Sequence, residues 1–405
     1  MRTVHVIGAG FAGLTVSLRL AQKGFQVELY ESSSRVGGLL GTDQTEYGIA
    51  ERAANALIRT EKAEHLFQEL GLTASLPLES SKKRFLFRGS PTSWPLSFLE
   101  TVLTIAKVLP QVLLHGKKGF KPQAGETLQM WGERHLGKAP TRYIVGPAMQ
   151  GIYGNEITDL SASLILGPLF SQTKKGKYKG LLTGPGGMQD LVDHLEQRLR
   201  DLKVNIHLNT PVSVESLQGP VVIATSAKAA SELTKVRYPS IAQVLSRIQM
   251  SSLMSVTLFF AKAQDKFKGF GCLIPRGFEL KALGVLMNSY IFKDRDKTYN
   301  ETWILGGAKE EQLLDLSDAD LLKLIAEERF RILGQKDTLL DYRINRWKKA
   351  LPYYNLQLEE SLADLQEVEL PKELHLHGNY LSGIGLSKIL ERSDLIAEKI
   401  ASQYE

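Results

Sequence analysis

Apolar positions change period twice near the start of the chain. Thr3-Val-His-Val-Ile7 is a β-branched run of the buried-strand type. Leu14 to Lys23 repeats with a helical period, and Gly24 suits its C-cap. Gln26 to Tyr30 returns to a strand. Further along, residues 61–71 read as an amphipathic helix stopped by Gly71, and Phe85–Phe87 as a strand before the turn Gly89-Ser-Pro91. Thr183 to Leu199 opens on Gly184-Pro-Gly-Gly-Met188 and runs on as a helix. Strands are expected at Val204–Leu208 and Val221–Thr225. Alternating positions predict more at Leu253–Ala261, Gly271–Ile274, Leu283–Phe292 and Thr302–Gly306. Asp318–Leu333 reads as a helix capped by Ser317, and the last helix starts near Leu386 after the glycine turn at Gly378 to Gly385. The chain thus leaves one sheet, passes through an insertion, returns, builds a second sheet, and returns again.

Between the first strand and helix lies Gly8-Ala-Gly-Phe-Ala-Gly13. Gly8 permits the tight turn, Gly10 lets backbone approach a pyrophosphate, and Gly13 lets the helix pack on the strand. The helix start offers free N–H groups and a positive dipole end. Glu31 follows at the tip of the second strand, roughly 20 residues on, where a carboxylate accepts from a ribose and would repel a 2′-phosphate. These features predict a dinucleotide other than NADP. Arg35-Val-Gly-Gly38 adds a second glycine turn beside a guanidinium, a pairing that resembles flavoproteins of the amine-oxidase type and so implies FAD.

Composition narrows the remaining classes. With 43% apolar and 23% charged residues, the 405-residue chain can bury two or three domain cores. The single Cys272 excludes an internal disulfide and suits a reducing compartment. The N-terminus reads directly as a strand, so no signal peptide is expected. The net charge of +6 comes without a basic helix or an aromatic-interleaved basic motif, so nucleic acid is not an expected partner. Lysines gather instead at Lys82-Lys83-Arg84, Lys117-Lys118 and Lys174-Lys175-Gly-Lys177-Tyr-Lys179. The segment from Trp94 to Leu114 is strongly apolar but carries Glu100, Lys107 and Pro110, short of the roughly 20 clean apolar residues of a spanning helix. Two short amphipathic helices on an anionic membrane surface are expected there. No metal-ligand spacing is present, and His375 and His377 read as structural.

The chain as a whole resembles the protoporphyrinogen oxidase family. The likeness runs through the flavin motifs and Ala54-Asn55, then Lys83-Arg84-Phe-Leu-Phe-Arg88-Gly89, Gly151-Ile-Tyr-Gly154 and Gly184-Pro-Gly-Gly-Met188. It continues through Gly269-Phe-Gly-Cys-Leu273-Ile-Pro275, Leu283-Gly-Val-Leu286, Gly306-Gly307 and Gly378-Asn-Tyr. The resemblance implies an α/β, Rossmann-like FAD-binding domain (1–75, 180–245 and 345–405) and an antiparallel-sheet substrate domain (76–93 and 246–344). It also implies an inserted, membrane-associated helical subdomain (94–179). It further implies hydride removal from a porphyrinogen bridge carbon to FAD, with O2 as acceptor, on the cytoplasmic face of a membrane.

Residue by residue, the resemblance places Arg84 on a substrate propionate and Leu273 and Leu286 on the tetrapyrrole faces. Ile304 stands where many members have an aromatic, and Gly151 at the pocket wall. Asn55 is the expected catalytic position beside flavin and substrate, and Val212 holds the adenine end. Further cofactor contacts are expected from Gly8, Gly10, Phe11, Ala12 and Gly13, from Glu31, Ser32, Arg35, Gly38 and Leu39, from Ala54 and Thr225, and from Gly378, Ile384, Gly385 and Leu386. Ala53-Ala54 stands where the family often has a glycine turn, which predicts a restricted backbone. Coproporphyrinogen III is the alternative substrate. Another flavin amine oxidase or desaturase, or a non-catalytic FAD-binding partner protein, are the other readings. A homodimer is left open.

Overall fold

The computed structural model describes residues 2–171, 177–293 and 295–404; Lys174 and Lys175 of the third lysine cluster lie outside them. Two sheets organise the chain. The first has five parallel strands in the order Leu374–Leu376, Val221–Ile223, Thr3–Ile7, Gln26–Tyr30, Asn205–His207. The β-branched runs pair as expected for a sheet covered on both faces, with Val6 opposite Val222 and Ile7 opposite Ile223. The helix Phe11–Gln22 starts three residues earlier than the periodicity suggests, because Gly10 takes the N-cap position directly after the turn. Lys23 and Gly24 close it, Gly24 at φ +83°.

The second sheet has seven strands, ordered Leu339–Pro352, Met250–Phe260, Tyr299–Gly306, Gly284–Leu286, Gly271–Leu273, Phe85–Phe87, Pro91–Thr92. It is mixed rather than purely antiparallel, since Gly271–Leu273 runs parallel to Phe85–Phe87. Two expectations change here. Leu283–Phe292 pairs only over Gly284–Leu286, after which Asn288–Tyr290 turns as a 3-10 helix. Leu339–Pro352 is an edge strand absent from the alternation reading, and the expected domain junction at 344/345 falls inside it. Being half exposed, it carries Asp341, Arg343, Arg346, Lys348 and Lys349, which hide its apolar side. Behind the sheet, Trp303 is fully buried and its indole N–H donates to Glu301, which also pairs with buried Arg329.

Helices fill the segment between Phe98 and Ser171. The apolar stretch forms one continuous helix, Phe98–His115, not two. Ser97 and Glu100 make a reciprocal capping box at its start, and Pro110 is accommodated inside it. Together with the following turn to Phe120 it is long and apolar enough to cross a membrane, the one such stretch among the described residues. None of its residues is buried.

Candidate active site

A cavity of about 1090 Å³ runs between the two sheets, with the nucleotide turn at one end and the floor of the seven-stranded sheet at the other. At the nucleotide end, the two glycine turns lie against each other. A Cβ on Gly38 would stand 3.0 Å from the Gly10 Cα, so only glycine keeps this slot open. The helix start at Gly10 has no side-chain cap, which leaves its first N–H groups facing the cavity. Glu31 closes the strand tip. Its carboxylate accepts from the Ala9 N–H and the Ser33 N–H, both at 2.9 Å, and borders the cavity.

Most expected cofactor positions converge on this one space. Gly8, Gly10, Phe11 and Ala12 line it, as do Glu31, Ser32, Gly38 and Leu39. So do Ala54, Val212 and Thr225, and from the C-terminal turn Gly378, Ile384 and Leu386. Three do not. Gly13 faces the strand, where an added Cβ would sit 1.8 Å from the Gly8 carbonyl oxygen; it allows packing rather than contact. Arg35 turns its guanidinium back on its own loop, donating to the carbonyls of Gly38 at 2.6 Å and Leu40 at 3.0 Å. Gly385 is not among the lining residues although its neighbours Ile384 and Leu386 are, and a Cβ there would meet open space.

The expected catalytic position is displaced as well. Asn55 lines a separate polar pocket of about 20 Å³ with Glu51, Arg295 and Asp296, not the main cavity. The cause is the turn before it. The Arg52 carbonyl accepts from the Trp347 indole N–H and the Ser255 hydroxyl, each at 2.8 Å, which presents Ala53 and Ala54 to the cavity and sends Asn55 behind. Neither alanine has a positive φ, so this turn asks for no glycine and the expected restriction carries no strain. Beneath it, Glu51 accepts from Thr42, the Met188 N–H and Arg295. Burial pushes its carboxyl up to about 7 against the pull of Arg295. Glu51 and Thr42 thereby cap the helix Met188–Asp201 from outside, and Gly187 leaves them room. The Gly184-Pro-Gly-Gly-Met188 motif is a helix-docking device set apart from the cavity lining.

At the far end the pleat separates two faces. Leu273, Leu286 and Ile304 line the cavity, while their strand neighbours Cys272, Val285 and Trp303 are buried in the core behind the sheet, Cys272 and Val285 also bordering the cavity. Gly284 lies opposite both Leu273 and Ile304, and Gly271 opposite Leu286, so the floor is flat and apolar. Gly151 fits closely above it; a Cβ there would come within 2.5 Å of Leu273 Cδ2. Arg84 is exposed at the rim, its guanidinium 4.9 Å from the Phe270 ring centroid. Burial pushes the Cys272 thiol up to about 12, which suits packing rather than nucleophilic chemistry.

Sequence patterns gave no signal for Trp347, Lys348 and Lys349. They line the cavity through a bulge in the edge strand, where Lys349 takes φ +51° and its N–H donates to the Ser252 hydroxyl. Lys348 pairs with Asp315 and Lys349 with Glu311. Among the described residues no cluster of metal-ligating side chains is present.

The paired glycine slot, the uncapped helix start and the Glu31 carboxylate bordering the cavity fit FAD. Comparison with known proteins agrees. Residues 11–214 match the family described as flavin containing amine oxidoreductase. The mitochondrial protoporphyrinogen oxidase of Nicotiana tabacum is 24% identical over 482 residues, covering 100% of this chain and 95% of that protein. The coproporphyrinogen III oxidase of Bacillus subtilis (strain 168) is 22% identical, covering 96% of each. A crystal structure from Exiguobacterium sp. 255-15 superposes with a TM-score of 0.81 at 17% identity over 99% of both chains. The chain belongs to the flavin containing amine oxidoreductase family and is an FAD-dependent oxidoreductase.

Proposed function

We propose that this enzyme oxidises protoporphyrinogen IX to protoporphyrin IX in haem biosynthesis, with O2 as electron acceptor. The observation that carries the reading is the cavity's far end: a flat apolar floor of Leu273, Leu286 and Ile304 with Arg84 at its rim. A porphyrinogen is an apolar ring with carboxylates at its edge. FAD supplies the two-electron acceptor when bound. The chain's own part is to hold the ring, exclude water around it and fix the carboxylate edge.

The charges of the cavity lining favour protoporphyrinogen over the tetracarboxylate coproporphyrinogen III. Arg52 pairs with Asp43, Lys348 with Asp315 and Lys349 with Glu311. Arg84 has no ion pair among the described residues and stays available for a charge-assisted bond to a propionate. Two further carboxylates would meet apolar walls and lose hydration without partners. Supplying each porphyrinogen in air and following porphyrin fluorescence above the spontaneous rate tests the reading. Faster turnover of coproporphyrinogen III would reverse the substrate assignment.

We also propose that Phe98–His115 seats the enzyme peripherally on the cytoplasmic face of an anionic membrane. The helix is inverted with respect to its own protein. Its polar side faces inward: Glu100 pairs with Arg88, Lys107 donates to the Glu133 carbonyl, and Gln111 bonds His135. Its apolar side faces out, with Phe98 86%, Leu113 75% and Leu114 76% exposed. Lys117, Lys118 and Lys121 stand exposed at its end, in place to meet lipid headgroups.

A further inference from the structure

His377, Ser393 and Thr15 are fully or almost fully buried, and no step proposed above uses them. They form a continuous chain of hydrogen bonds, in which the Ser393 hydroxyl can also donate to the Ile389 carbonyl. The Gly378 N–H donates to His377 Nδ1 at 3.0 Å, so that nitrogen carries no proton. The neutral ring then has its proton on Nε2, which faces the Ser393 hydroxyl at 2.8 Å. Ser393 lies 2.8 Å from the Thr15 hydroxyl, and Thr15 donates to the Phe11 carbonyl at 2.7 Å. The order His377 to Ser393 to Thr15 to Phe11 satisfies every member.

The two ends of this relay have a common destination. Gly378 and Phe11 both line the cavity, one from the C-terminal glycine turn and one from the first turn of the nucleotide helix. These segments are distant in sequence and are joined here by buried side chains at the edge of a large apolar core, with Arg392 close to His377. A core that needed only packing would be served as well by apolar residues, since a buried polar network is costly unless every member is paired. We propose that His377 is a positioning residue: through Ser393 and Thr15 it fixes the C-terminal turn at Gly378 relative to the first turn of the nucleotide helix at Phe11.

The test uses FAD affinity of the apoprotein, measured by titration and flavin fluorescence, alongside the visible spectrum of the bound flavin. Thr15→Val keeps the shape of the side chain and removes its donor and acceptor. It is expected to weaken FAD binding about tenfold, the scale of one buried polar group left unpaired. His377→Leu should do the same, and the Thr15→Val/His377→Leu double variant should be no worse than the weaker single, because one broken link disables the relay. His377→Gln, which keeps an N–H toward Ser393, should recover most of the affinity and restore the spectrum. If Thr15→Val and Ser393→Ala bind FAD as the parent does, with an unchanged spectrum and only lowered melting temperatures, the relay is structural and the proposal fails. No substrate enters this measurement, so its outcome is independent of the porphyrinogen reading.

Discussion

Arg84 and Glu51 show how differently single residues were exposed to view. Arg84 is singled out by the family resemblance alone, since a basic residue opening a short strand otherwise reads as a surface charge. Replacing it with alanine should raise KM for a porphyrinogen by about tenfold or more, the worth of a charge-assisted bond, while FAD content stays constant. Steady-state kinetics with flavin quantified by absorbance checks both halves. Asn55 stands off the main cavity for a non-local reason. Its direction is set by Trp347 and Ser255, residues far away in sequence that hold the Arg52 carbonyl, and no local pattern carries that information. Glu51 and two histidines make a further prediction in pH. Burial lowers His375 to about 4 and His377 to about 3, so each contributes stability above its ordinary value of 6.5 that is lost as pH falls. Glu51 acts in the opposite sense. Its raised value adds stability below the usual 4.5 that is lost as pH rises through about 7. Between these limits the two slopes oppose each other in the parent. Glu51→Gln removes one of them, so denaturant unfolding of the variant should show stability falling with acid more steeply from pH 6.5 to 4.5; equal slopes in variant and parent would contradict the assignment.

Elements with a strong period and clear punctuation were readable. Asp318–Leu333 matches its expected span, with Ser317 accepting from the Asp320 N–H. The strands of the parallel sheet announce themselves because both faces are covered. The edge strand Leu339–Pro352 does not, because solvent on one side dilutes its apolar positions with charge. Pro110 misled in the helical segment: it removes one backbone donor, yet the capping box and the inward polar contacts keep Phe98–His115 continuous. The helix also carries a prediction. Phe98→Glu and Leu113→Glu place charge on the outward face and should abolish flotation with phosphatidylserine-containing vesicles without changing the FAD spectrum. Vesicle binding that survives both changes would assign the face to another partner. In the edge strand, Trp347→Phe removes the indole donor to the Arg52 carbonyl and should weaken FAD binding about fivefold, the worth of one hydrogen bond, as read by apoprotein titration.

At the scale of the molecule, the nucleotide motifs were visible from the first residues, and the structure collects them on one wall of one cavity. What the motifs could not supply is the opposite wall. It is built by strands Gly271–Leu273, Gly284–Leu286 and Tyr299–Gly306 in register, where Gly271 and Gly284 stand opposite Leu286, Leu273 and Ile304 and leave an apolar floor. That floor, set against Arg84 as the lining cation without an ion pair among the described residues, is what the porphyrinogen reading rests on. The most direct measurement is the rate of porphyrin fluorescence growth when the purified FAD enzyme meets protoporphyrinogen IX or coproporphyrinogen III in air. Enzyme-dependent oxidation of protoporphyrinogen IX, faster than of coproporphyrinogen III and slowed in Arg84→Ala at low substrate, is the predicted result. No rate above the spontaneous one with either porphyrinogen would contradict it.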